Sequence, residues 1–120
     1  MTTNPALRKP STWERAILNR LLEAEFPGKD ELRPMVAEVE VQTIDADGSI
    51  ELRSPIAGSA PVVKRIPVEA QAKDSDGFTI HVLLHTVDGR PAELEVYKDD
   101  GSQIKVRPDP KCFEIIVLAP

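Results

Sequence analysis

The sequence predicts a two-layer α+β fold, in which an N-terminal amphipathic helix packs on one face of an antiparallel meander sheet. Three observations predict it: a helix-capping pattern near the N-terminus, a change of apolar period from 3.6 to 2 after Ala37, and four Asp-Gly pairs between alternating stretches. Asp-Gly is a strong hairpin signal because glycine accepts the positive φ of a tight reversal. The 120 residues fit a single domain, 1–120, with a loose tail at 1–10.

Composition and charge exclude several classes of protein. The net charge is −5, and the acidic excess lies after residue 33. Because such a surface repels phosphate backbones, we expect no nucleic-acid partner. The chain shows no signal sequence and no apolar run near ~18 residues, so we expect a cytoplasmic protein without membrane association. Cys112 is the single cysteine and cannot form an internal disulfide.

The first helix is predicted to begin after Ser11. Residues 11–14, Ser-Thr-Trp-Glu, have the spacing of a capping box, in which the serine and glutamate side chains bind backbone amides. An apolar stripe at helical spacing follows and ends at Pro27-Gly28. Asp30 is expected to cap a second, shorter helix through about Val36. The stripe consists of Trp13, Ile17, Leu18, Leu21, Leu22 and Phe26.

Alternation of apolar and polar residues predicts the strands. A first hairpin, 39–53, surrounds Asp47-Gly48, and both its register and its place in or beside the sheet are open. Even-numbered side chains are expected to face inward across the meander. We predict meander strands at about 62–73, 78–87, 92–98 and 103–107, and a further strand from Cys112 to Leu118.

The hairpin turns decide the register of the meander. A two-residue turn at Asp88-Gly89 would place Leu84 opposite Glu93 and would mix apolar and charged groups on both faces. A type I turn followed by a left-handed glycine, a G1 bulge, gathers the apolar groups on one face. With this bulge at all three turns, the predicted pairs are Leu84–Ala92, Val82–Leu94, Ile80–Val96, Ala72–Ile80, Ala70–Val82, Val68–Leu84, Val96–Ile104 and Leu94–Val106.

Two motifs at first suggest a metal site. His81 and His85 have the i, i+4 spacing of helical zinc sites, but their neighbours are strand formers, and four strand residues span roughly 13 Å. The segment 45–50 resembles the middle of a calcium loop, but Thr43 and Ser54 stand where the anchoring ligands belong. No glycine-rich phosphate loop is present. We therefore expect no metal and no cofactor.

The polar face of the meander carries the most mixed chemistry. The register places His81 between Gln71 and Glu95, and a histidine beside a carboxylate can act as a general base. The same composition is typical of a solvated sheet face. Aromatic and apolar groups within a polar face are typical of partner-binding surfaces. The candidate binding residues are His81, Leu83, His85, Glu93, Glu95, Tyr97, Lys105 and Arg107, with Glu95 opposite Lys105 and Glu93 opposite Arg107.

Four short motifs carry a resemblance to a known family. They are W-E-R-x-I-L at 13–18, D-x-D-G-S at 45–49, L-L-H-x-V-D-G at 83–89 and E-L-E-V-Y-x-D-D-G at 93–101. The chain resembles small bacterial single-domain proteins of unknown function over most of 13–106. The resemblance implies a single α+β domain and no particular activity or ligand.

The residues favour a non-catalytic protein over an enzyme. We predict a protein-interaction or accessory protein, of the immunity type, that binds another protein through the polar sheet face. The alternative is a small-molecule-binding protein or enzyme that uses His81 and Glu95. A homodimer, formed through the last strand or through the same face, is a third hypothesis.

Overall fold

A computed structural model describes residues 7–118, which form an α+β fold as predicted. The described helices are α1, Thr12–Leu21, and α2, Lys29–Ala37. The described strands are β1 (Glu40–Thr43), β2 (Ile50–Arg53), β3 (Val68–Lys73), β4 (Thr79–Val87), β5 (Arg90–Lys98) and β6 (Glu114–Val117). They form one antiparallel sheet in the order β1-β2-β5-β4-β3-β6. Residues 1–6 of the expected loose tail lie outside the described residues.

The predicted capping box begins α1. The Ser11 hydroxyl accepts from the Glu14 amide at 3.2 Å, and the Glu14 carboxylate accepts from the Ser11 amide at 2.8 Å. Glu14 also accepts two bonds, at 2.7 and 2.9 Å, from the guanidinium of Arg8. The backbone of Arg8 exchanges two hydrogen bonds with Val41. Within the stretch expected to be loose, Arg8 is therefore held by both the helix layer and the sheet.

The second helix begins at a glycine and not at the predicted aspartate cap. Gly28 is the N-cap of α2, with a φ of 93°, and Asp30 lies in the first turn. A Cβ at Gly28 would lie 2.8 Å from Cγ1 of Val62, so the close approach of this loop also requires glycine. The first helix ends at Leu21, before the predicted end, although Phe26 is still buried in the same core.

The core lies between the helices and the inward face of the sheet. Even-numbered side chains of β3, of β4 and, from Leu94 onward, of β5 point into it, as predicted, and the apolar faces of α1 and α2 cover them. These buried side chains include Ile17, Leu18, Leu21, Leu32, Val36, Val68, Ala70, Ile80, Val82, Leu84, Leu94 and Val96. None of the described helices is long and apolar enough to cross a membrane.

The turn at Asp76-Gly77 has the predicted geometry. Strands β3 and β4 pair Val68 with Leu84 and Ala72 with Ile80. Gly77 has a φ of 89°, and its amide donates to Asp74 O at 2.9 Å, as in a type I turn with a G1 bulge.

The turn at Asp88-Gly89 differs from the prediction. Both residues have positive φ, 53° and 72°, as in a two-residue type I′ turn, and Val87 pairs with Arg90. A bulge then occurs because His85 pairs with Glu93 while Thr86 pairs with Pro91, which leaves Ala92 unpaired. The apolar face is preserved, but every predicted β4–β5 pair is wrong by two residues: the structure pairs Leu84 with Leu94, Val82 with Val96 and Ile80 with Lys98.

The predicted strand at 103–107 does not form. Gly101 makes the expected turn, donating to Lys98 O at 2.9 Å with a φ of 75°, but residues 102–107 then leave the sheet. The amides of Lys105 and Val106 bind the carboxylate of Asp74, at 2.7 and 2.9 Å, instead of a neighbouring strand. The predicted pairs of Val96 with Ile104 and of Leu94 with Val106 are therefore wrong.

The first hairpin pairs with the outer edge of β5. Ile50 of β2 pairs with Leu94, so this hairpin joins the sheet where 103–107 was expected. At the other edge, β6 pairs with β3, which begins at Val68 and not near residue 62. Cys112 lies in a short 3₁₀ turn before β6 and is exposed, so the last strand is shorter than predicted.

Candidate functional site

The outer face of the sheet lies opposite the helices, and no described helix covers it. It presents the odd-numbered side chains of β3, of β4 and, from Glu93 onward, of β5, flanked by Glu51 of β2 and Ile116 of β6. The predicted site residues on this outer face are His81, Leu83, His85, Glu93, Glu95 and Tyr97.

Lys105 and Arg107 do not lie on the outer face. Because Asp74 binds the backbone of 105–106, this segment turns away from β5, and the predicted pairs Glu95–Lys105 and Glu93–Arg107 are wrong. The guanidinium of Arg107 lies 4.4 Å from the ring centroid of Trp13 in the helix layer. Lys105 is exposed beside the turn of the first hairpin.

His81 is the centre of a saturated cluster, the His81 cluster, formed with Glu69, Asp99 and Tyr97. Its Nδ1 lies 2.5 Å from Oε2 of Glu69, and its Nε2 lies 2.6 Å from Oδ1 of Asp99. The imidazole stacks on the Tyr97 ring, with centroids 4.7 Å apart and planes 10° apart. Since ionised carboxylates only accept hydrogen bonds, the ring that satisfies both is the doubly protonated imidazolium.

The electrostatics of the His81 cluster support that protonation state. Burial alone would lower the pKa of His81, but the hydrogen bonds and charges of Glu69 and Asp99 outweigh it and raise this pKa above its ordinary value. The pKa of the Tyr97 phenol is also raised, first by burial and then by the charges of Glu69, Asp99 and Glu95. The raised pKa makes the Tyr97 phenol a weaker acid, and both ring nitrogens of His81 are already bound to carboxylates.

The predicted adjacency of His81 and Glu95 is wrong. Because the β4–β5 register is shifted by two residues, His81 faces Tyr97, and Glu95 faces Leu83. Glu95 instead accepts from His85, whose Nε2 lies 2.8 Å from Oε1. The predicted pairing of Gln71 with His81 is confirmed.

His85 is the centre of a second cluster, the His85 cluster, formed with Glu93, Glu95 and Arg65. His85 and Glu93 are direct cross-strand partners, and Glu95 is two residues along the same strand. The Nε of Arg65 donates to Nδ1 of His85 at 3.1 Å. The proton of the neutral ring therefore lies on Nε2, which donates to Glu95.

Glu93 is the unsatisfied member of the His85 cluster. Among residues 7–118, its carboxylate forms no hydrogen bond and no ion pair. Its other cross-strand neighbour is Glu51, whose carboxylate is bound by Arg53. Two glutamates directly opposite each other repel, so this position of the outer face favours a cation.

Comparison with known proteins identifies the family. A family described as a domain of unknown function (DUF6984) matches residues 7–108. The chain belongs to this family. The match confirms the resemblance seen in the sequence, and the family carries no assigned activity. Comparison with curated proteins and with solved structures finds no match.

One buried charge cluster was not predicted from the sequence. Lys98 is fully buried, and its ammonium donates to Asp74 at 2.9 Å and to Asp76 at 2.5 Å. Burial opposes ionisation of Asp74, but bonds from the Lys105 amide and from Lys98 outweigh it and hold its pKa well below the usual value. A signal was present: the even-inward rule places Lys98 on the core side, where a lysine requires a carboxylate partner.

Arg65 and Asp99 were also missed as partners of the two histidines. Arg65 comes from the loop before β3, and its carbonyl accepts from the amide and hydroxyl of Thr86, which holds the loop beside β4. Asp99 lies in the turn after β5, outside the alternating pattern. Neither position has a spacing relationship to a histidine that a sequence pattern could reveal.

Proposed function

We propose that this protein is a non-catalytic binding domain that recognises a cationic, lysine- or arginine-rich segment of another protein through its outer face. The observation that carries the proposal is an uncovered sheet face with an excess of carboxylates around exposed ring and aliphatic surface. Tyr97 is 37% exposed at one end of this face. An accessory or immunity-type role, in which the domain binds and masks a partner, is of this kind.

The negative charge of the outer face favours a positively charged partner. The carboxylates on or beside the outer face are those of Glu51, Glu69, Glu93, Glu95, Asp99 and Glu114. The basic side chains on or beside the face are Arg53 and Arg65, each bound to a residue of the face, and Lys73, which donates to the Gly77 carbonyl. Such a field attracts cations and raises the association rate of a basic partner.

The apolar part of the face provides contact area. Leu83 of β4 and Ile116 of β6 flank Glu69 in one cross-strand row, and Tyr97 lies in the next row. Interfaces commonly combine an aromatic anchor with a polar rim. A basic segment with long aliphatic stems, as in lysine and arginine, fits both features.

A catalytic role for His81 with Glu95 has less support. The two residues do not pair, and both ring nitrogens of His81 face carboxylates, so the ring offers no free lone pair to a substrate. The raised pKa of Tyr97 makes its phenol a weaker proton donor.

The test is a titration of ¹⁵N-labelled protein with a decaarginine peptide in EDTA, followed by NMR. We expect the largest amide shifts in β4 and β5. The variant Glu93→Lys/Glu95→Lys should bind the peptide about tenfold more weakly, a loss of about 1.4 kcal/mol. The matched control, Glu31→Lys/Glu38→Lys, makes the same change of net charge on exposed residues in and next to α2. Equal weakening in both variants, or shifts confined to the helices, would refute the proposal.

The other sequence-based expectations stay predictions. They are a cytoplasmic location, the absence of a nucleic-acid partner, and the alternative of self-association through the outer face or through β6. Light scattering at two protein concentrations tests self-association, and a concentration-independent mass would exclude it.

A further inference from the structure

Three potential metal ligands converge on the outer face. One ligand atom from each of His85, Glu93 and Glu95 lies within 4.8 Å of the others. Nε2 of His85 lies 2.8 Å from Oε1 of Glu95, and a small outward movement would bring both atoms to the spacing of about 3.4 Å expected of tetrahedral ligands at about 2.1 Å from an ion. All three residues lie on paired strands, so their backbones are fixed relative to one another. A rotation of the Glu93 side chain would bring its carboxylate to the same ion.

We propose that His85, Glu93 and Glu95 form a binding site for a divalent transition-metal ion of the zinc type. One imidazole and two carboxylates suit Zn²⁺, Mn²⁺ or Fe²⁺ better than the all-oxygen preference of Ca²⁺ or Mg²⁺. Three protein ligands on an open face leave coordination positions for water or for a donor from another molecule. This site is a property of the chain itself and does not depend on the proposed cationic partner.

The electrostatics around Glu93 supply an independent argument. Its carboxylate has no partner in the part of the chain described, and it lies directly opposite Glu51 across the β2–β5 pair. A like-charge cross-strand pair is unfavourable. A divalent cation at this position removes the repulsion and gives Glu93 a partner.

The spacing of His81 and His85 in the sequence argued against a metal site, because two residues four positions apart on a strand are too far apart to share an ion. In the structure, the potential ligands beside His85 are the carboxylates of Glu93 and Glu95 on the neighbouring strand, which the observed register brings close to it. His81 takes no part, since both of its nitrogens bind carboxylates.

Arg65 competes with the metal for His85. In the metal-free state Arg65 donates to Nδ1, which holds the proton on Nε2. A metal bound at Nε2 requires that proton to move to Nδ1, where Arg65 can then no longer donate. Arg65 must also carry its positive charge away from the ion. Its side chain is exposed, so this movement displaces no core packing. Removal of Arg65 is therefore expected to strengthen metal binding.

The experiment is isothermal titration of the untagged protein with ZnCl₂, with Co²⁺ absorption spectra as a second readout. The wild type should bind one equivalent, and Co²⁺ should give ligand-field bands in the visible range. His85→Gln and Glu93→Gln should each weaken binding about tenfold or more, whereas Arg65→Ala should tighten it about threefold.

The control is His81→Gln, which alters the same face outside the three ligands and should retain stoichiometric binding. Glu93→Gln removes no hydrogen bond within residues 7–118, so this variant should fold normally, which its metal-free unfolding midpoint verifies. No saturable binding by the wild type, or wild-type affinity in a folded Glu93→Gln variant, would overturn the proposal. Peptide binding by His85→Gln in EDTA tests the proposed function separately.

Discussion

The His81 and His85 clusters lie four residues apart on one strand and have opposite degrees of saturation. The two imidazoles are equally buried, each with a 13% exposed side chain. His81 binds a carboxylate at each nitrogen and stacks on Tyr97. His85 binds one carboxylate, accepts from Arg65, and lies opposite Glu93, which has no partner within residues 7–118.

The two clusters therefore differ in hydrogen-bond completeness and not in exposure, and we infer that completeness is the better guide to which of them binds a ligand. A polar cluster whose donors and acceptors are all bonded stabilises the sheet and has no free donor or acceptor for a ligand. A cluster with an unpaired carboxylate and a single-proton histidine retains capacity for a cation. The following predictions test that distinction. The first concerns the buried cluster of Lys98, which is the most completely buried of the three charge clusters.

The largest expected effect is that of Asp74→Ala. This change leaves the buried ammonium of Lys98 with Asp76 as its one carboxylate partner, beside the Gln103 carbonyl, and it removes the acceptor of the Lys105 and Val106 amides. We expect the greatest fall in the free energy of unfolding among the variants named here, measured by urea denaturation at pH 7. Asp100→Ala, an exposed aspartate in the nearby turn, is the control. Similar midpoints for the two variants would contradict this account.

The next effect compares the two histidines directly. His81→Ala leaves Glu69 and Asp99 without their shared donor and removes the Tyr97 stack, so it should cost about 2 kcal/mol of unfolding free energy. His85→Ala loses one bond to the partly exposed Glu95 and one from the exposed Arg65, and should cost about 1 kcal/mol or less. Urea denaturation of both variants measures the difference, and a reversed order would show that saturation does not report structural importance.

Zinc should stabilise the protein through the His85 cluster. At a free Zn²⁺ concentration tenfold above the dissociation constant, binding to the native state alone adds about 1.4 kcal/mol. The thermal midpoint of the wild type and of His81→Gln should therefore rise with Zn²⁺, and that of Glu93→Gln should not. A rise of equal size in Glu93→Gln would place the ion elsewhere.

The smallest effect is a pH dependence linked to one proton at His81. Because its native pKa is raised, the native state retains this proton after the unfolded chain has lost it. The associated stabilisation is complete below the unfolded value of about 6.5 and is lost as pH rises through the native value. Urea midpoints at several pH values should show this decline in the wild type and in His85→Gln, but not in His81→Gln. An identical decline in His81→Gln would assign it to another group.

Alternation in the sequence was sufficient to predict which side chains face the core, but not which residues pair. Val82 and Leu94 are both buried, as predicted, although they are not partners. A shift of two residues preserves the faces of both strands, so the hydrophobic pattern cannot distinguish the two registers. The bulge at Ala92, together with a two-residue turn, gives the same facing as the predicted G1 bulge.

The candidate site was predictable to the same extent. The face of His81, His85, Glu93 and Glu95 followed from alternation, but their contacts depended on the register, so His81 was paired with the wrong carboxylate.

The missing strand at 103–107 has another cause. The Asp74 side chain competes for backbone amides about thirty residues away, an interaction with no local sequence signature.

The most direct test of the distinction between the clusters is imidazole ¹⁵N NMR of the protein at pH 7, with and without one equivalent of Zn²⁺. We predict that the His81 nitrogens report a doubly protonated ring in both samples, whereas Nε2 of His85 shifts on addition of the ion. A neutral His81 ring, or a zinc-dependent shift at His81 with His85 unchanged, would contradict the account.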